Sequence, residues 1–109
     1  MRAGALKYYV TFERPHKRTA GAHGGNIKNW ELHAYAWASM EPLSAREYAE
    51  THQMEEEVSI RFIIRYRPDL NTHMRIKYGT RYFKIVGRLN ARAQNRYLEI
   101  MALETEDFE

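Results

Sequence analysis

The sequence predicts a mainly β domain, a small antiparallel β-barrel of about six strands with one short helix between strands two and three. Six short runs alternate between apolar and polar residues at hairpin spacing, the pattern of half-buried antiparallel strands. The 109 residues, 44% of them hydrophobic, suit one domain with one core. A closed barrel is favoured over a two-layer sandwich because closure leaves no strand edge exposed. We therefore interpret residues 1–109 as a single domain.

The first two predicted strands are separated by a long polar segment. Residues 6–13 alternate as a first strand, and Pro15 is expected to end it. Residues 16–28 contain three glycines and predict a mobile loop. The second strand, residues 30–40, places one apolar set on a single face: Trp30, Leu32, Ala34, Ala36, Ala38 and Met40. Its other face also carries large aromatics, Tyr35 and Trp37, so either both faces are covered or one face awaits a partner.

A helix is predicted directly after the second strand. Ser44 and Glu47 have the spacing of a capping box, in which each side chain accepts a hydrogen bond from a backbone N–H of the other residue. The helix is expected to end near Met54, and Glu55, Glu56 and Glu57 lead out of it.

Four further strands complete the predicted barrel. Residues 58–66 alternate clearly, with Ile63 alone off the pattern. Residues 74–78 and 83–89 form a hairpin through Gly79-Thr80, which predicts a type II′ turn. Phe83, Ile85 and Leu89 are expected on one face of the returning strand. Residues 96–103 form the last strand, and residues 104–109 are an acidic tail.

Charge alternates in blocks along the chain, although the net charge is only +3. Residues 1–40 hold six basic and two acidic residues, a net charge of +4, and residues 41–57 have one basic and six acidic residues, a net charge of −5. Residues 58–98 hold ten basic residues against Asp69, a net charge of +9, and the five acids of residues 99–109 give −5. Such alternation suits either pairing within the chain or contacts between copies of it.

No constellation of residues predicts catalysis, a cofactor or a metal site, so an enzyme is not expected. The absence of cysteine excludes disulfides, thiolate nucleophiles and cysteine-based metal sites. The five histidines never fall at the spacing of a local metal clip. No apolar run approaches the ~18 residues of a membrane-spanning helix, and no signal peptide is expected at the start.

One basic strand carries a candidate binding stripe. It is formed by Arg61, Arg65 and Arg67, whose spacing places their side chains on one face of the strand. Together with Tyr35 and Trp37 as stacking surfaces, it suggests an alternative function, a nucleic-acid-binding barrel of the oligonucleotide-binding type. The other interpretation is that both features pack against a neighbouring subunit, where buried aromatics often dominate the binding energy.

The chain also resembles the bacteriophage head–tail adaptor proteins of the head-closure, or head–tail joining, family. Residues 1–15 read MRAGALKYYVTFERP, similar to that family's opening, and residues 37–47 read WASMEPLSARE, similar to its central signature. Residues 64–68 (IRYRP), 74–79 (MRIKYG) and 81–85 (RYFKI) resemble its second half. Ala45 and Thr80 depart from the family pattern, which often has Gly at both places. The likeness extends over almost the whole chain.

The resemblance implies a structural virion protein, made in the cytoplasm of the bacterial host and built into the phage neck. Such a protein forms a homo-oligomeric ring, twelvefold by analogy, below the portal and adaptor ring. It closes the DNA-filled head and offers a docking surface to tail terminator or tail tube proteins, while double-stranded DNA passes non-specifically through the channel. The candidate interface residues are Tyr35, Trp37, Ser44, Glu47, Glu55, Glu56 and Glu57. The basic stripe of Arg61, Arg65 and Arg67 is a candidate for the DNA channel or for a subunit interface.

Overall fold

A computed structural model describes residues 5–16, 29–43, 59–90 and 94–106, and shows a closed barrel of six strands. Neighbouring strands are antiparallel throughout, in the order β1-β2-β3-β6-β5-β4. The strands are β1 (Tyr8–His16), β2 (Asn29–Pro42), β3 (Ile60–Arg65), β4 (Arg75–Tyr78), β5 (Arg81–Asn90) and β6 (Tyr97–Glu104). The prediction of a small six-stranded antiparallel barrel is confirmed. The predicted helix from Ser44 to Met54 lies outside the described residues, as do residues 17–28 of the loop predicted at 16–28.

The barrel core is built from alternate residues of all six strands. Three phenylalanines, Phe12, Phe62 and Phe83, are fully buried at its centre, and the rings of Phe62 and Phe83 meet edge to face at 4.9 Å. Leu70 and Met74, from the segment between β3 and β4, join the same core. The period-two alternation of the sequence therefore places the inward side chains correctly along most of each strand.

A bulge in the β1–β2 ladder reverses the faces of the first part of β2. The register passes from Phe12↔Ala34 to Glu13↔Leu32, so His33 is the extra residue. Leu32, predicted on the inner face, is half exposed opposite Glu13. The prediction that one apolar face runs unbroken from Trp30 to Met40 is therefore wrong, because one inserted residue inverts a period of two.

A second bulge, between β5 and β6, has the same effect. The register passes from Ile85↔Ala102 to Gly87↔Met101, and beyond it Arg88 stands opposite the buried Ile100. Leu89 is 57% exposed, so the prediction that it shares a face with Phe83 and Ile85 is wrong.

The C-terminal ends of β1 and β6 also lie beyond the predicted ones. β1 continues through Pro15 to His16. This last part of β1 is still paired with β2, whereas the β1–β4 ladder has already ended at Glu13. Proline is tolerated there because its missing N–H can face an unpaired edge. Glu104, predicted as the first residue of the tail, is instead the last residue of β6, and its carboxylate accepts two hydrogen bonds from Arg81, at 2.8 and 2.9 Å.

The hairpin between β4 and β5 turns through the two predicted residues. Tyr78 pairs with Arg81, which leaves Gly79 and Thr80 as the loop. Gly79 has a φ of +61°, and Thr80 is not among the residues of positive φ. A positive φ at the first position alone agrees with a type II′ turn and explains why glycine stands there.

The barrel closes at the β1–β4 ladder, which consists of three residue pairs. A cluster of side chains reinforces this short ladder. Arg75 Nε donates to Glu13 Oε1 at 2.7 Å, and both side chains are largely buried. The Arg75 guanidinium also lies 4.4 Å from the centre of the Trp30 ring and 4.3 Å from that of Tyr82. We call these four residues the closure cluster; it joins β1, β2, β4 and β5 on the outer wall.

No helix in the described part of the chain is long and apolar enough to span a membrane.

Candidate interaction face and cleft

Three aromatic side chains stand on the outer surface of β1 and β2 and form what we call the aromatic face. Tyr9, Tyr35 and Trp37 are each about half exposed. The Tyr9 ring stacks on that of Tyr35, with centres 5.4 Å apart and planes 5° from parallel, and lies 4.8 Å from that of Trp37. The ladder explains the grouping, since Tyr9 pairs with Trp37 across the strands and Tyr35 is the diagonal neighbour.

The outer surface of β2 is covered unevenly. Near the end of the strand, Ser39 and its ladder partner Ile63 are buried although both belong to the outward parity. Tyr35 and Trp37, a few residues earlier, are open to solvent. The sequence left open whether both faces of β2 are covered or one face is uncovered. Both faces are covered at Ser39, whereas the outer face is uncovered at Tyr35 and Trp37.

A cleft of about 590 Å³ opens beside the aromatic face. The cleft exists because the β2–β3 ladder ends at the pair Ala38↔Ile64. The part of β2 that precedes Ala38 extends beyond this pair, and the chain after β3 diverges from β2. The lining residues are Leu6, Tyr35, Ala36, Trp37, Arg65, Tyr66, Arg67, Pro68 and Asp69. The cleft therefore has aromatic and aliphatic walls, with charged groups contributed by the segment after β3.

A hydrogen-bonded triad crosses from that segment to β2. Asp69 accepts hydrogen bonds from Arg67, at 2.8 and 2.9 Å, and its Oδ2 lies 2.7 Å from His33 Nε2. The hydrogen bonds from Arg67 in the first place, and then that from His33, hold the pKa of the Asp69 carboxyl well below its usual range. The same pairing raises the pKa of Arg67. The triad thus fixes the position of the segment 66–69, one wall of the cleft, against β2.

The three arginines of the predicted stripe have different surroundings. Arg61 Nε donates to Glu41 at 3.0 Å and lies 4.0 Å from a Glu99 oxygen. Arg67 follows the end of β3 and is paired with Asp69. Arg65 is exposed on the cleft, and no carboxylate of the described residues lies within ion-pair distance of it.

The remaining predicted interface residues, Ser44, Glu47 and Glu55 to Glu57, lie outside the described residues. Within the part of the chain that the structure describes, no group of three His, Asp or Glu side chains could hold a metal ion.

Sequence reasoning missed the contributions of Tyr9, Leu6 and the His33–Asp69 contact. Tyr9 has a sequence signal, since it lies on the outward parity of the first strand and the hairpin brings it beside Trp37. The cleft has none, because it depends on where one ladder ends in space.

The comparisons with known proteins agree with this architecture. Residues 1–106 match the family model described as phage head completion protein. The chain belongs to the phage head completion protein family. It is therefore a structural protein of the phage virion, at the junction of head and tail.

Two solved structures are similar to this head completion protein. A protein of Shigella flexneri 2a, known from its solution structure, is 30% identical, with a TM-score of 0.77 over 99% of this chain and 100% of that one. A chain in the virion of a native gene transfer agent particle is 20% identical, with a TM-score of 0.57 over 91% of this chain and 94% of that one, and supports the fold. None of the curated proteins matches the sequence.

Proposed function

We propose that this head completion protein assembles as a ring in the phage neck, below the portal and adaptor ring, where it closes the DNA-filled head and offers the tail its attachment surface. The observation that carries the proposal is the aromatic face, three half-exposed rings on the wall of a barrel from a head completion family. Clustered exposed aromatics indicate a surface that another protein covers. Twelvefold symmetry remains the expectation by analogy with phage necks.

The ion pairs argue against a DNA channel lined by the whole basic stripe. Arg61 and Arg67 are engaged by carboxylates of their own chain, whereas Arg65 faces the cleft beside the aromatic face. DNA in the channel then makes weak, non-specific phosphate contacts with other basic residues, as suits a genome that must leave through the ring.

The acidic segment at Glu55, Glu56 and Glu57 is proposed to contact the basic block of a neighbouring copy. The support is the charge segregation along the sequence, with a −5 block directly before a +9 block. Changing all three glutamates to lysine is expected to weaken ring formation and to change its salt dependence. Assembly on the adaptor ring that is unchanged at low and high salt would contradict this contact.

Ring formation itself is tested with the purified full chain by sedimentation velocity and electron microscopy, alone and with a portal–adaptor complex. We expect rings, or recruitment to the complex, that depend on the aromatic face. A chain that stays monomeric at high concentration and does not bind the complex would contradict the proposal.

One observation favours a second candidate, a nucleic-acid-binding barrel: stacked, exposed rings lie beside Arg65, as in single-strand-binding surfaces. It predicts tight binding of a single-stranded oligonucleotide by the monomer, with an affinity that falls steeply with salt. The leading proposal predicts weak binding that is lost at physiological salt.

A further inference from the structure

We propose that the cleft beside the aromatic face binds residues 106–109 of a second copy of this chain, with the Phe108 ring packed between Leu6 and Trp37. The flanking carboxylates of that segment then face Arg65. This inference rests on the self-assembly in the proposed function and names the contact that joins neighbouring subunits.

The cleft suits an aromatic anchor. Its volume of about 590 Å³ is lined by Leu6, Tyr35, Ala36 and Trp37, and the two large aromatic rings are about half exposed. Burial of one more ring here removes apolar surface from water on both partners, and aromatic side chains in such pockets dominate many interfaces.

Charge selects the occupant. Arg67 and Asp69 neutralise each other at one wall, so Arg65 leaves this side of the cleft positive among the described residues. The sequence at 106–109 is Glu-Asp-Phe-Glu, one phenylalanine among three carboxylates. The chain has four phenylalanines and the other three are fully buried in the barrel core, so Phe108 is the one left to serve as an anchor.

The segment is too short to fill the cleft of its own chain. β6 ends at Glu104, and the β6 residue that pairs with Arg65 is Tyr97, seven positions earlier. Seven strand residues span about 23 Å. From Glu104 to Phe108 the main chain extends at most about 14 Å. The cleft also lies toward β2, two strands away from β6, which adds about 10 Å sideways. The occupant therefore comes from another copy.

Such a contact has the symmetry of a ring. The cleft and the segment 106–109 are different surfaces, so each copy gives its segment to one neighbour and receives a segment from the other. Head-to-tail contacts of this kind generate a ring when the rotation between copies closes.

The test places the photoreactive residue p-benzoylphenylalanine at position 108 of the full chain. Unlabelled and ¹⁵N-labelled chains are mixed, irradiated and digested, and the cross-linked peptides are identified by mass spectrometry. We expect hybrid peptides that join position 108 of one copy to residues 35–37 or 65–69 of the other. Cross-links only within one copy, cross-links elsewhere, or none would overturn the inference.

Substitutions measure the strength of the contact. Phe108→Ala and Arg65→Glu are each expected to weaken self-association about tenfold or more in sedimentation experiments, while circular dichroism stays unchanged. Leu89→Ala is the matched control, because Leu89 is as exposed as Trp37 but lies on the outer face of β5. It is expected to leave association unchanged.

The outcomes separate this inference from the proposed function. If the wild-type chain forms rings and Phe108→Ala forms them equally well, the inference is wrong and the ring stands. If the wild-type chain never assembles, both are wrong. An oligonucleotide, and not a peptide of residues 103–109, could instead quench the tryptophan fluorescence of the full chain. If this quenching is lost in Trp37→Ala, the cleft serves nucleic acid and the inference is overturned.

Discussion

The outer wall of the barrel carries two clusters of aromatic and arginine side chains that differ in how completely their groups are paired. In the closure cluster, Arg75 lies close to the rings of Trp30 and Tyr82 and is ion-paired with Glu13, and both charged side chains are about 15% exposed. On the aromatic face the rings of Tyr35 and Trp37 are more than half exposed, and Arg65 on the adjoining cleft is exposed too. Similar residue types therefore stabilise the fold where they satisfy one another and stay open to solvent where they do not, and it is this open surface that we propose a partner covers.

The largest effect is expected at Arg75. Arg75→Ala removes both cation–π contacts and leaves the largely buried Glu13 carboxylate without its partner, at a cost of about 3 kcal/mol in the free energy of unfolding. Urea denaturation measures this loss. Arg14→Ala, which removes an exposed ion pair with Glu31, is the control and is expected to shift the midpoint little. Equal effects of the two substitutions would contradict the assignment of a special role to the closure cluster.

Trp37→Ala tests the other side of the comparison. Because the Trp37 ring is exposed, the variant is expected to fold with a nearly unchanged midpoint. Its association with neighbouring subunits is expected to weaken by about 2 kcal/mol, or roughly 30-fold, as measured by sedimentation. A misfolded or aggregated variant would show instead that Trp37 is needed for the fold of its own chain.

A smaller, pH-dependent effect is expected at the triad of His33, Arg67 and Asp69. The pKa of Asp69 is lower in the folded chain than in the unfolded one, so the stabilisation is present above the unfolded pKa of about 4 and is lost as the pH falls below it. Thermal melting between pH 7 and pH 2 is therefore expected to show a shallower acid loss in Asp69→Asn than in the wild type. Parallel curves would indicate that the contact contributes nothing to stability. The effect is small because the Asp69 side chain is 40% exposed and solvent screens its charge.

The family resemblance and the barrel were accessible from the sequence, but the candidate site was accessible only in part. Tyr35 and Trp37 were identified as interface candidates because they are large aromatic residues on the outward, otherwise polar face of a strand. The structure places both on the open surface. The stripe of Arg61, Arg65 and Arg67 was predicted only from the alternation of side chains along a strand. In the structure Arg61 is paired with Glu41 and Arg67 with Asp69, so the three arginines have different surroundings. Parity defines a face of a strand but does not identify which charge lies on the neighbouring strand.

The sequence by itself determined the strands and most of the core, because the alternation of side chains along a strand is a local property with a period of two. Only the tertiary structure decided the positions of the two bulges, the unequal pairing of the two outer-wall clusters and the cleft. Each of these depends on the register between strands far apart in the chain. A shift of one residue, at His33 in β2 or between Ile85 and Gly87 in β5, inverts the side chains beyond it. The cleft forms where the β2–β3 ladder ends, because β2 is longer than the partner strand that runs beside it.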